Sequence, residues 1–356
     1  MKKDEKYLLI ITPGFPASEE DTTCLPSQQL LVRSLNRIDP SLEVVILSYE
    51  YPFTNTAYRW FSNEVIPLNG WKKGIWNKLG TFLSMYRVLR KIYRERKIVG
   101  ILSFWATAGA VMGKYFAKLH GIVHYAWILG QDARATNKFI SMLSPKPEEL
   151  IAMSVSLQRE FQKNFKVRPK WIIPNAIDIS LFNPEETVRD IDILGVGSLI
   201  PLKQYEVFIR VIKSLVGIYP RIRALICGKG PDQEALQSLI HDLGLSKNIT
   251  LIGEQPHDIV LMLMQRAKVL LHPSSYEGYS TVCLEALYAG AHVISFSNPK
   301  DEWVNHWHIA AGENDMTEIA LELLEDEGLN HDPVLLHKMD DQAWAVLRLF
   351  NESSTA

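Results

Sequence analysis

Short apolar runs alternate with longer amphipathic stretches along the chain, and this order constrains the fold more than any other feature. The apolar runs, each short enough for one buried strand, are residues 7–12, 43–47, 98–103, 122–128, 150–153, 191–196, 222–227, 249–252, 269–272 and 292–296. The stretches with helical periodicity are residues 27–35, 76–94, 106–119, 204–216, 233–243, 256–265 and 280–289. Repeated strand–helix–strand order predicts parallel sheets joined by right-handed crossovers. Because 356 residues exceed one ordinary core, we expect an α/β protein with two doubly wound domains.

The boundary between the predicted domains falls in a polar stretch that is punctuated by prolines. Residues 174–178 read Pro-Asn-Ala-Ile-Asp, and residues 182–186 read Phe-Asn-Pro-Glu-Glu, just before a new buried strand. Such a stretch is typical of a linker. We therefore assign residues 1–186 to the first domain and residues 187–332 to the second. The last helix, at about residues 333–350, adds no strand and is expected to pack back on the first domain.

Composition and charge exclude several classes of protein. The formal net charge is -2, so no global field favours a nucleic-acid partner. Cys24, Cys227 and Cys283 are far apart and form no CxxC pair, which disfavours a disulfide scaffold or a structural zinc site. The apolar run at residues 7–12 is too short for a signal peptide, and no stretch approaches the ~20 apolar residues of a membrane span. The sequence therefore predicts a cytoplasmic protein. A dinucleotide-dependent dehydrogenase is disfavoured because no G-x-G-x-x-G follows an early strand.

The segment after residue 272 carries the strongest chemical signal. Ligands of open parallel sheets bind beyond the carboxyl ends of the strands. Here such an end is followed by Glu277, Gly278 and a helix that Ser280 or Thr281 can cap. The helix N-terminus offers N–H groups to diphosphate oxygens, and a glycine lets the backbone approach a ligand closely. Glu285, one to two turns inside the helix, is placed to accept both hydroxyls of a ribose. The alternative is that Glu277 caps the helix and Glu285 faces solvent.

Residues 272–295, His-Pro-Ser-Ser-Tyr-Glu-Gly-Tyr-Ser-Thr-Val-Cys-Leu-Glu-Ala-Leu-Tyr-Ala-Gly-Ala-His-Val-Ile-Ser, resemble the signature of the GT4 family of GT-B glycosyltransferases. The resemblance continues in order with a hinge at residues 174–184, a V-G-x-L loop ending in a lysine at residues 196–203, a G-x-G-P turn at residues 228–231 and a turn at residues 251–253. These motifs cover roughly residues 170–330, whereas the first domain matches only in outline. The resemblance implies a GT-B fold, in which two Rossmann-like domains face a cleft. It also implies a retaining, metal-independent glycosyltransferase that uses a nucleoside-diphosphate sugar as substrate and needs no cofactor.

The resemblance also implies roles for single residues. Lys203 would pair with the donor diphosphate, Glu277 would contact the transferred sugar, and Glu285 would hold the ribose. Backbone N–H groups at Gly278, Tyr279 and Ser280 would bind phosphate or sugar. The remaining donor-binding candidates are Gly253 and Glu254 near the nucleobase, Ser198 in the loop after the first strand of the second domain, and Gly14, which would approach the diphosphate from the first domain. Glu277, Lys203 and Asp132 are the catalytic candidates.

The chain departs from the family pattern at three positions. Ser198 stands where the family has a loop arginine, and Ala176 stands at the hinge glycine. The His-Gly-x-Asp segment of the acceptor domain corresponds to residues 129–132, so Leu129 replaces a frequent catalytic histidine. Asp132 remains a candidate for binding an acceptor hydroxyl, with helix capping as the alternative. These departures keep open two other functions, a nucleotide-sugar epimerase of GT-B fold and a non-catalytic nucleotide- or glycan-binding protein.

In the family, the acceptor attacks the front face of the donor sugar, and the leaving diphosphate can accept the proton of the acceptor. The protein then acts mainly by offsetting the diphosphate charge and positioning the reactants. Residues 190–192 read Asp-Ile-Asp. We interpret them as the entry to a buried strand rather than as the metal motif of other glycosyltransferases.

Residues 71–97 form a basic amphipathic segment with a single acid, Glu95. Its basic residues are Lys72, Lys73, Lys78, Arg87, Arg90, Lys91, Arg94, Arg96 and Lys97. A basic helix with interleaved aromatic residues can lie on an anionic bilayer, and the alternative is a core-packed helix with a solvated basic face. The family resemblance implies a glycan or lipid-linked acceptor and a role in cell-surface polysaccharide biosynthesis. Together with the basic segment, it predicts peripheral contact with the inner face of the membrane.

Overall fold

The computed structural model describes residues 6–70, 75–183, 187–297 and 302–352, with the backbone alone at residues 75–79 and 352. The chain divides into two compact units, Met1–Asn175 with Met339–Ala356, and Ala176–Lys338. The boundary that the sequence placed at Glu186 lies outside the described residues, as does Pro184 of the predicted hinge. Within the described helices, none combines the length and the apolar character that crossing a membrane requires.

The first unit contains a mostly parallel sheet. Its strands are β1 (Lys6–Gly14), β2 (Leu42–Tyr51), β3 (Tyr58–Trp60), β4 (Asn63–Pro67), β5 (Lys97–Phe104), β6 (His124–Ile128), β7 (Leu150–Ala152) and β8 (Trp171–Ile172). Their order across the sheet is β3-β4-β2-β1-β5-β6-β7-β8, and β3 alone among these runs antiparallel to its neighbour. Four consecutive residues of β1, Leu8 to Ile11, are fully buried, as expected when both faces of a parallel strand are covered.

The helices that follow these strands are α1 (Pro26–Ile38), α2 (Ile75–Glu95), α3 (Ala108–His120), α4 (Phe139–Leu143) and α5 (Val155–Phe165). Met85, Leu89 and Ile92 of α2 are buried in the core of the unit, so part of the apolar side of this helix packs inward. Leu83 and Tyr93 on the same helix are exposed.

The second unit is a smaller doubly wound domain. Its strands are β9 (Ile191–Val196), β10 (Ala224–Cys227), β11 (Ile249–Gly253), β12 (Ala267–His272), β13 (His292–Ser295) and β14 (Trp307–Ile309), and its helices are α6 (Tyr205–Val216), α7 (Gln233–Asp242), α8 (His257–Arg266), α9 (Thr281–Tyr288) and α10 (Glu313–Glu325). The strand order is β11-β10-β9-β12-β13-β14, and the paired strands are parallel. The chain therefore reverses its direction of winding between β9 and β12, which is where doubly wound sheets bind ligands.

The last helix, α11 (Met339–Glu352), belongs to the first unit and packs on α1. The Ser34 hydroxyl donates to the Asp340 carboxylate at 2.6 Å, and the Tyr125 hydroxyl donates to the Leu349 carbonyl at 3.2 Å. The ring of Phe350 lies directly over Gly100, where a Cβ atom would come within 2.1 Å of it. A glycine in the middle of β5 thus makes room for the terminal helix.

The alternation of apolar and amphipathic segments correctly predicted most strands of both sheets, but several boundaries were wrong. The strand predicted to begin at residue 122 begins at His124, because α3 ends at left-handed Gly121 and the Ile122 amide still bonds the Ala117 carbonyl. The helix predicted from residue 333 begins at Met339, since the Val334 amide donates to the Leu287 carbonyl in the second unit. The short strands β3, β4, β8 and β14 and the helices α4, α5 and α10 had no sequence prediction.

Candidate functional site

The loop that joins β12 to α9 lies beside the point where the second sheet reverses direction. Ser280 is the N-cap of α9, and its hydroxyl accepts a hydrogen bond from the Cys283 amide at 3.4 Å. The cap is therefore Ser280 and not Glu277, which leaves the Glu277 carboxylate to other partners. The N-terminus of α9 carries a partial positive charge, which suits an anionic ligand.

Glu277 lies in this loop and is held by two basic side chains. Its Oε1 atom forms an ion pair with the Lys203 ammonium group and lies 2.9 Å from Nε2 of His272 at the end of β12. Burial alone would raise the pKa of Glu277, but the hydrogen bond from His272 and the charge of Lys203 outweigh burial and lower the pKa to about 2. Glu277 is thus a carboxylate at neutral pH, and only about a fifth of its side chain is exposed, at 19%.

Lys203 reaches Glu277 because the loop after β9 is tied to the loop after β12. The Ser275 amide donates to the Leu202 carbonyl at 2.9 Å, and the Ser275 hydroxyl donates to the same carbonyl at 3.1 Å. The two sequence motifs are far apart along the chain, yet these bonds place Lys203 and Glu277 in one cluster.

The loop after β9 also packs tightly on the loop after β10. The Gly197 amide donates to the Cys227 carbonyl at 2.9 Å, and the Leu199 amide donates to the Lys229 carbonyl at 2.9 Å. At Gly228, where φ is +153°, a Cβ atom would lie 1.9 Å from the Gly197 carbonyl oxygen, so only glycine fits. Ser198, between these anchored residues, is exposed and supplies no charge where the resemblance would place an arginine.

Glu285 lies inside α9 and is buried, with only 4% of its surface exposed. Its Oε1 atom lies 2.8 Å from Nε2 of His257, the first residue of α8. Burial alone would lower the pKa of His257, but the hydrogen bond and the charge of Glu285 outweigh burial and raise it. Glu285 does not face solvent, and the imidazole that compensates its charge is positioned by a neighbouring helix.

Gly253 ends β11, and Glu254 follows it. In the sheet, β10 lies between β11 and β9, the strand that precedes the Lys203 loop. Gly253 has a φ of +73°, and its carbonyl accepts the Gly228 amide at 2.9 Å. Glu254 forms an ion pair with Lys229, whose side chain is 65% exposed. Exposed ion pairs contribute little to stability, so either group can turn to a ligand at low cost.

Tyr279 points its side chain into the second unit. Its hydroxyl lies 3.0 Å from Nε2 of His337, and burial raises the pKa of the phenol. The side chain is thus engaged internally, and a contact with a ligand would fall to the backbone of Tyr279 and of its neighbour Gly278, which is also buried.

The remaining two candidates, Gly14 and Asp132, belong to the first unit. Gly14 ends β1, where its carbonyl accepts the Thr12 hydroxyl at 2.8 Å.

Asp132 is buried and accepts backbone N–H groups from Ala106 at 2.8 Å, Gly130 at 2.8 Å and Leu129 at 3.1 Å. Burial raises the pKa of Asp132 to about 6, although these bonds lower it. This arrangement ties together the loops after β5 and β6, which favours a structural role for Asp132.

Sequence reasoning missed two residues of the cluster, His257 and His272. His272 opens the segment that carried the family resemblance, and His257 follows Pro256 at the start of a predicted helix. Neither position reveals its carboxylate partner, because each pairing depends on how separate loops pack. Among the described residues, no group of three or more histidine, cysteine or acidic side chains is arranged to hold a metal ion. Asp190 and Asp192 flank the first residue of β9 and pair instead with Arg266 and Lys268.

Residues 178–334 match the family described as glycosyl transferases, group 1. This part of the chain is thus similar to a group 1 glycosyltransferase domain. The chain is 28% identical over 165 residues to the phosphatidylinositol N-acetylglucosaminyltransferase gpi3 subunit of Schizosaccharomyces pombe, covering 45% of this chain and 36% of that protein. It is 29% identical over 167 residues to N-acetylgalactosamine-N,N'-diacetylbacillosaminyl-diphospho-undecaprenol 4-alpha-N-acetylgalactosaminyltransferase of Campylobacter jejuni, covering 44% of each. The matches thus span less than half the length of these relatives.

Solved structures extend the likeness from the group 1 domain to the whole chain. Sucrose-phosphate synthase from Thermosynechococcus elongatus superposes with a TM-score of 0.72 at 14% identity, covering 98% of this chain and 96% of that one. The Anabaena protein HepE in complex with UDP-glucose superposes with a TM-score of 0.70 at 15% identity, covering 99% of this chain and 100% of that one. These likenesses confirm the GT-B fold that the sequence predicted.

Proposed function

We propose that this chain transfers a sugar, with retention of configuration and without a metal ion, from a nucleoside-diphosphate sugar to a glycan or lipid-linked acceptor. The observation that carries the proposal is the cluster at the end of β12, where Lys203, Glu277 and the N-terminus of α9 come together and Glu285 lies within the same helix. Lys203 and the N-terminus of α9 suit the diphosphate of the donor. Glu277 suits the transferred sugar, and Glu285 suits the ribose.

Each group of the cluster has a chemical task in this proposal. The Lys203 ammonium group and the N–H groups that begin α9 offset the negative charge that grows on the diphosphate as the sugar departs. Glu277 accepts hydrogen bonds from hydroxyls of the transferred sugar, and Glu285 accepts them from the ribose. Gly253 and Glu254 border the nucleobase. Preorganised charges of this kind act most strongly in a site from which water is excluded.

The proposed reaction needs no protein base. The bond between the anomeric carbon and the diphosphate oxygen breaks, and the acceptor oxygen bonds to the same face of that carbon. The proton of the acceptor hydroxyl passes to an oxygen of the leaving diphosphate. The task of the protein is then to hold the two substrates in line and to stabilise the leaving group.

Thermal-shift screening of UDP-, GDP- and ADP-sugars tests the donor site. At least one should raise the melting temperature, since a ligand at 100 times its Kd stabilises a protein by about 2.7 kcal/mol. Lys203→Ala and Glu285→Ala should weaken the effect strongly, whereas Lys213→Ala, on the outer side of α6, should leave it unchanged. If none of the nucleotide sugars stabilises the wild-type protein, the donor-site assignment is wrong.

Two other functions make different predictions for the product. A GT-B epimerase would return an epimerised nucleotide sugar without an acceptor. A non-catalytic binding protein would leave the nucleotide sugar intact, and the uncharged, exposed Ser198 together with Leu129 at the usual histidine position supports this second candidate. NMR of the anomeric signals after incubation with donor and a glycan acceptor separates the three, and transfer requires a new glycosidic signal with the donor's configuration.

We also propose that the acceptor is membrane-linked and that α2 contacts the inner face of the membrane. Leu83 and Tyr93 are exposed among the basic residues of this helix, whereas Trp71, Lys72 and Lys73 of the predicted segment lie outside the described residues. The protein should sediment with anionic vesicles at low salt but not with neutral ones. Replacing Arg87, Arg90 and Arg94 with glutamate should abolish sedimentation, and equal binding by that variant would refute this role of α2.

A further inference from the structure

One oxygen of Glu277 has two nitrogen partners, an ammonium group and an imidazole. Lys203 and His272 both contact Oε1 of Glu277, the lysine from the loop after β9 and the histidine from the end of β12. In the proposed function, Lys203 must turn from this oxygen to the diphosphate of the donor. His272 cannot follow, because its side chain is only 5% exposed and belongs to a central strand of the sheet. Donor binding would therefore leave His272 as the remaining basic partner of Glu277 in the cluster.

The protonation state of His272 before donor binding follows from its surroundings. Because Glu277 is ionised and can only accept hydrogen bonds, Nε2 of His272 must carry the hydrogen that joins them. Burial and the charge of Lys203 lower the pKa of His272, and the charge and hydrogen bond of Glu277 oppose this only in part. The imidazole is thus neutral while Lys203 is paired with Glu277.

We propose that His272 takes up a proton when the donor diphosphate draws Lys203 away from Glu277, and that the imidazolium then holds Glu277 in place for the transferred sugar. This inference rests on the proposed function. The added proton goes to Nδ1, and Nε2 keeps its hydrogen bond to Glu277. His272 acts as a positioning residue, since it reaches the sugar only through Glu277.

The other titratable groups around the cluster do not change this outcome. Burial raises the pKa of the Cys283 thiol to about 12 and also raises that of the Tyr205 phenol, so both stay neutral. Glu285 is compensated by His257 on the neighbouring helix. Lys203 and Glu277 are therefore the charges that set the state of His272. Once the diphosphate offsets the Lys203 charge, the pKa of His272 must rise.

Isothermal titration calorimetry in buffers of different ionisation enthalpy measures this proton directly. The ligands are UDP-glucose, GDP-mannose and ADP-glucose, because a diphosphate diester does not itself titrate near neutral pH. Wild-type protein should take up a fraction of one proton on binding at pH 7.5, and more, up to about one, as the pH falls toward 6. A His272→Gln variant keeps an N–H donor to Glu277 but cannot gain a proton, so its uptake should vanish.

A His257→Gln variant is the matched control, since it removes the other buried imidazole that pairs with a carboxylate of the site. Uptake should persist in this control. In steady-state transfer, His272→Gln should lower kcat at least tenfold while changing KM less than threefold, because the diphosphate contacts remain. Because a smaller folded fraction lowers the apparent kcat without changing KM, kcat is calculated per donor-binding site counted by calorimetry, and a purely structural role would then leave it unchanged.

Four results would overturn the inference. Wild-type binding without buffer dependence, or uptake that survives in His272→Gln, refutes it while leaving the donor site intact. Failure of every nucleotide sugar to bind refutes it together with the proposed function. If His272→Gln does not fold, NMR titration of ring-labelled histidines in the wild-type protein decides. One buried imidazole must then show a higher pKa with donor than without, and unchanged titration of all imidazoles refutes the inference.

Discussion

Gly290 links α9, which carries Glu285, to β13, and its replacement by alanine should destabilise the second unit. Its φ is +80°, and a Cβ atom would lie 2.1 Å from the His331 carbonyl oxygen and 2.5 Å from Nη2 of Arg189. That guanidinium donates to the Ala289 carbonyl at 2.7 Å and to the Ala267 carbonyl, so it joins the end of α9 to the start of β12. The backbone oxygen cannot move without displacing the loop at His331.

The expected cost follows from three terms. Alanine in the left-handed region costs about 1–2 kcal/mol of stability. About 0.4–1 kcal/mol of this cost is offset, because alanine lowers the conformational entropy of the unfolded chain. Overpacking adds about 1–3 kcal/mol. Gly244 isolates the first two terms, because its φ is +71° and a Cβ atom there would meet nothing within 4 Å. Gly290→Ala should therefore lose about 1–3 kcal/mol more than Gly244→Ala.

Urea unfolding followed by circular dichroism measures the difference, since both glycines lie in the second unit and report through the same transition. Equal losses in the two variants would show that the contact with His331 relaxes freely, and a greater loss in Gly244→Ala would refute the steric reasoning.

Three further substitutions test other parts of the structure. Glu277 has a pKa of about 2, below its unfolded value, so it contributes stability above about pH 4.5 that is lost as the pH falls toward 2. Glu277→Gln lacks this contribution. Its unfolding free energy should therefore fall by roughly 3 kcal/mol less than that of the wild type across this range. Asp132→Ala should cost about 3 kcal/mol or more in urea unfolding, because it leaves buried backbone N–H groups unpaired, and a stable but inactive variant would instead indicate a direct role in the reaction. Phe350→Ala should cost about 3–5 kcal/mol by the same measurement, because it opens a cavity over Gly100; an unchanged midpoint would mean that α11 does not stabilise the first unit.

The parallel sheets were predictable from sequence because both faces of their strands are covered, which makes each strand a near-continuous apolar run. The hairpin of β3 and β4 and the edge strands β8 and β14 were not, since strands of two to five residues at the edge of a sheet carry little periodicity. The start of α11 escaped prediction because long-range bonds, such as that from the Val334 amide to Leu287, decide where the chain leaves the second unit.

The sequence could name Glu277, Lys203 and Glu285 as site candidates, because each lies in a motif that follows a strand or begins a helix. Their pairing was not. Lys203 meets Glu277 through the bonds from Ser275 to Leu202, and His257 meets Glu285 through the packing of α8 against α9. The contacts of Asp132 were not predictable either. Its three backbone partners come from two loops, and no local sequence pattern encodes them.

A crystal structure of the full chain with its stabilising nucleotide sugar tests the central claim most directly. The account predicts the diphosphate between the Lys203 ammonium group and the first N–H groups of α9, the ribose hydroxyls on Glu285, and the sugar beside Glu277. A Lys203–Glu277 ion pair that remains closed, with the nucleotide bound elsewhere, would contradict it.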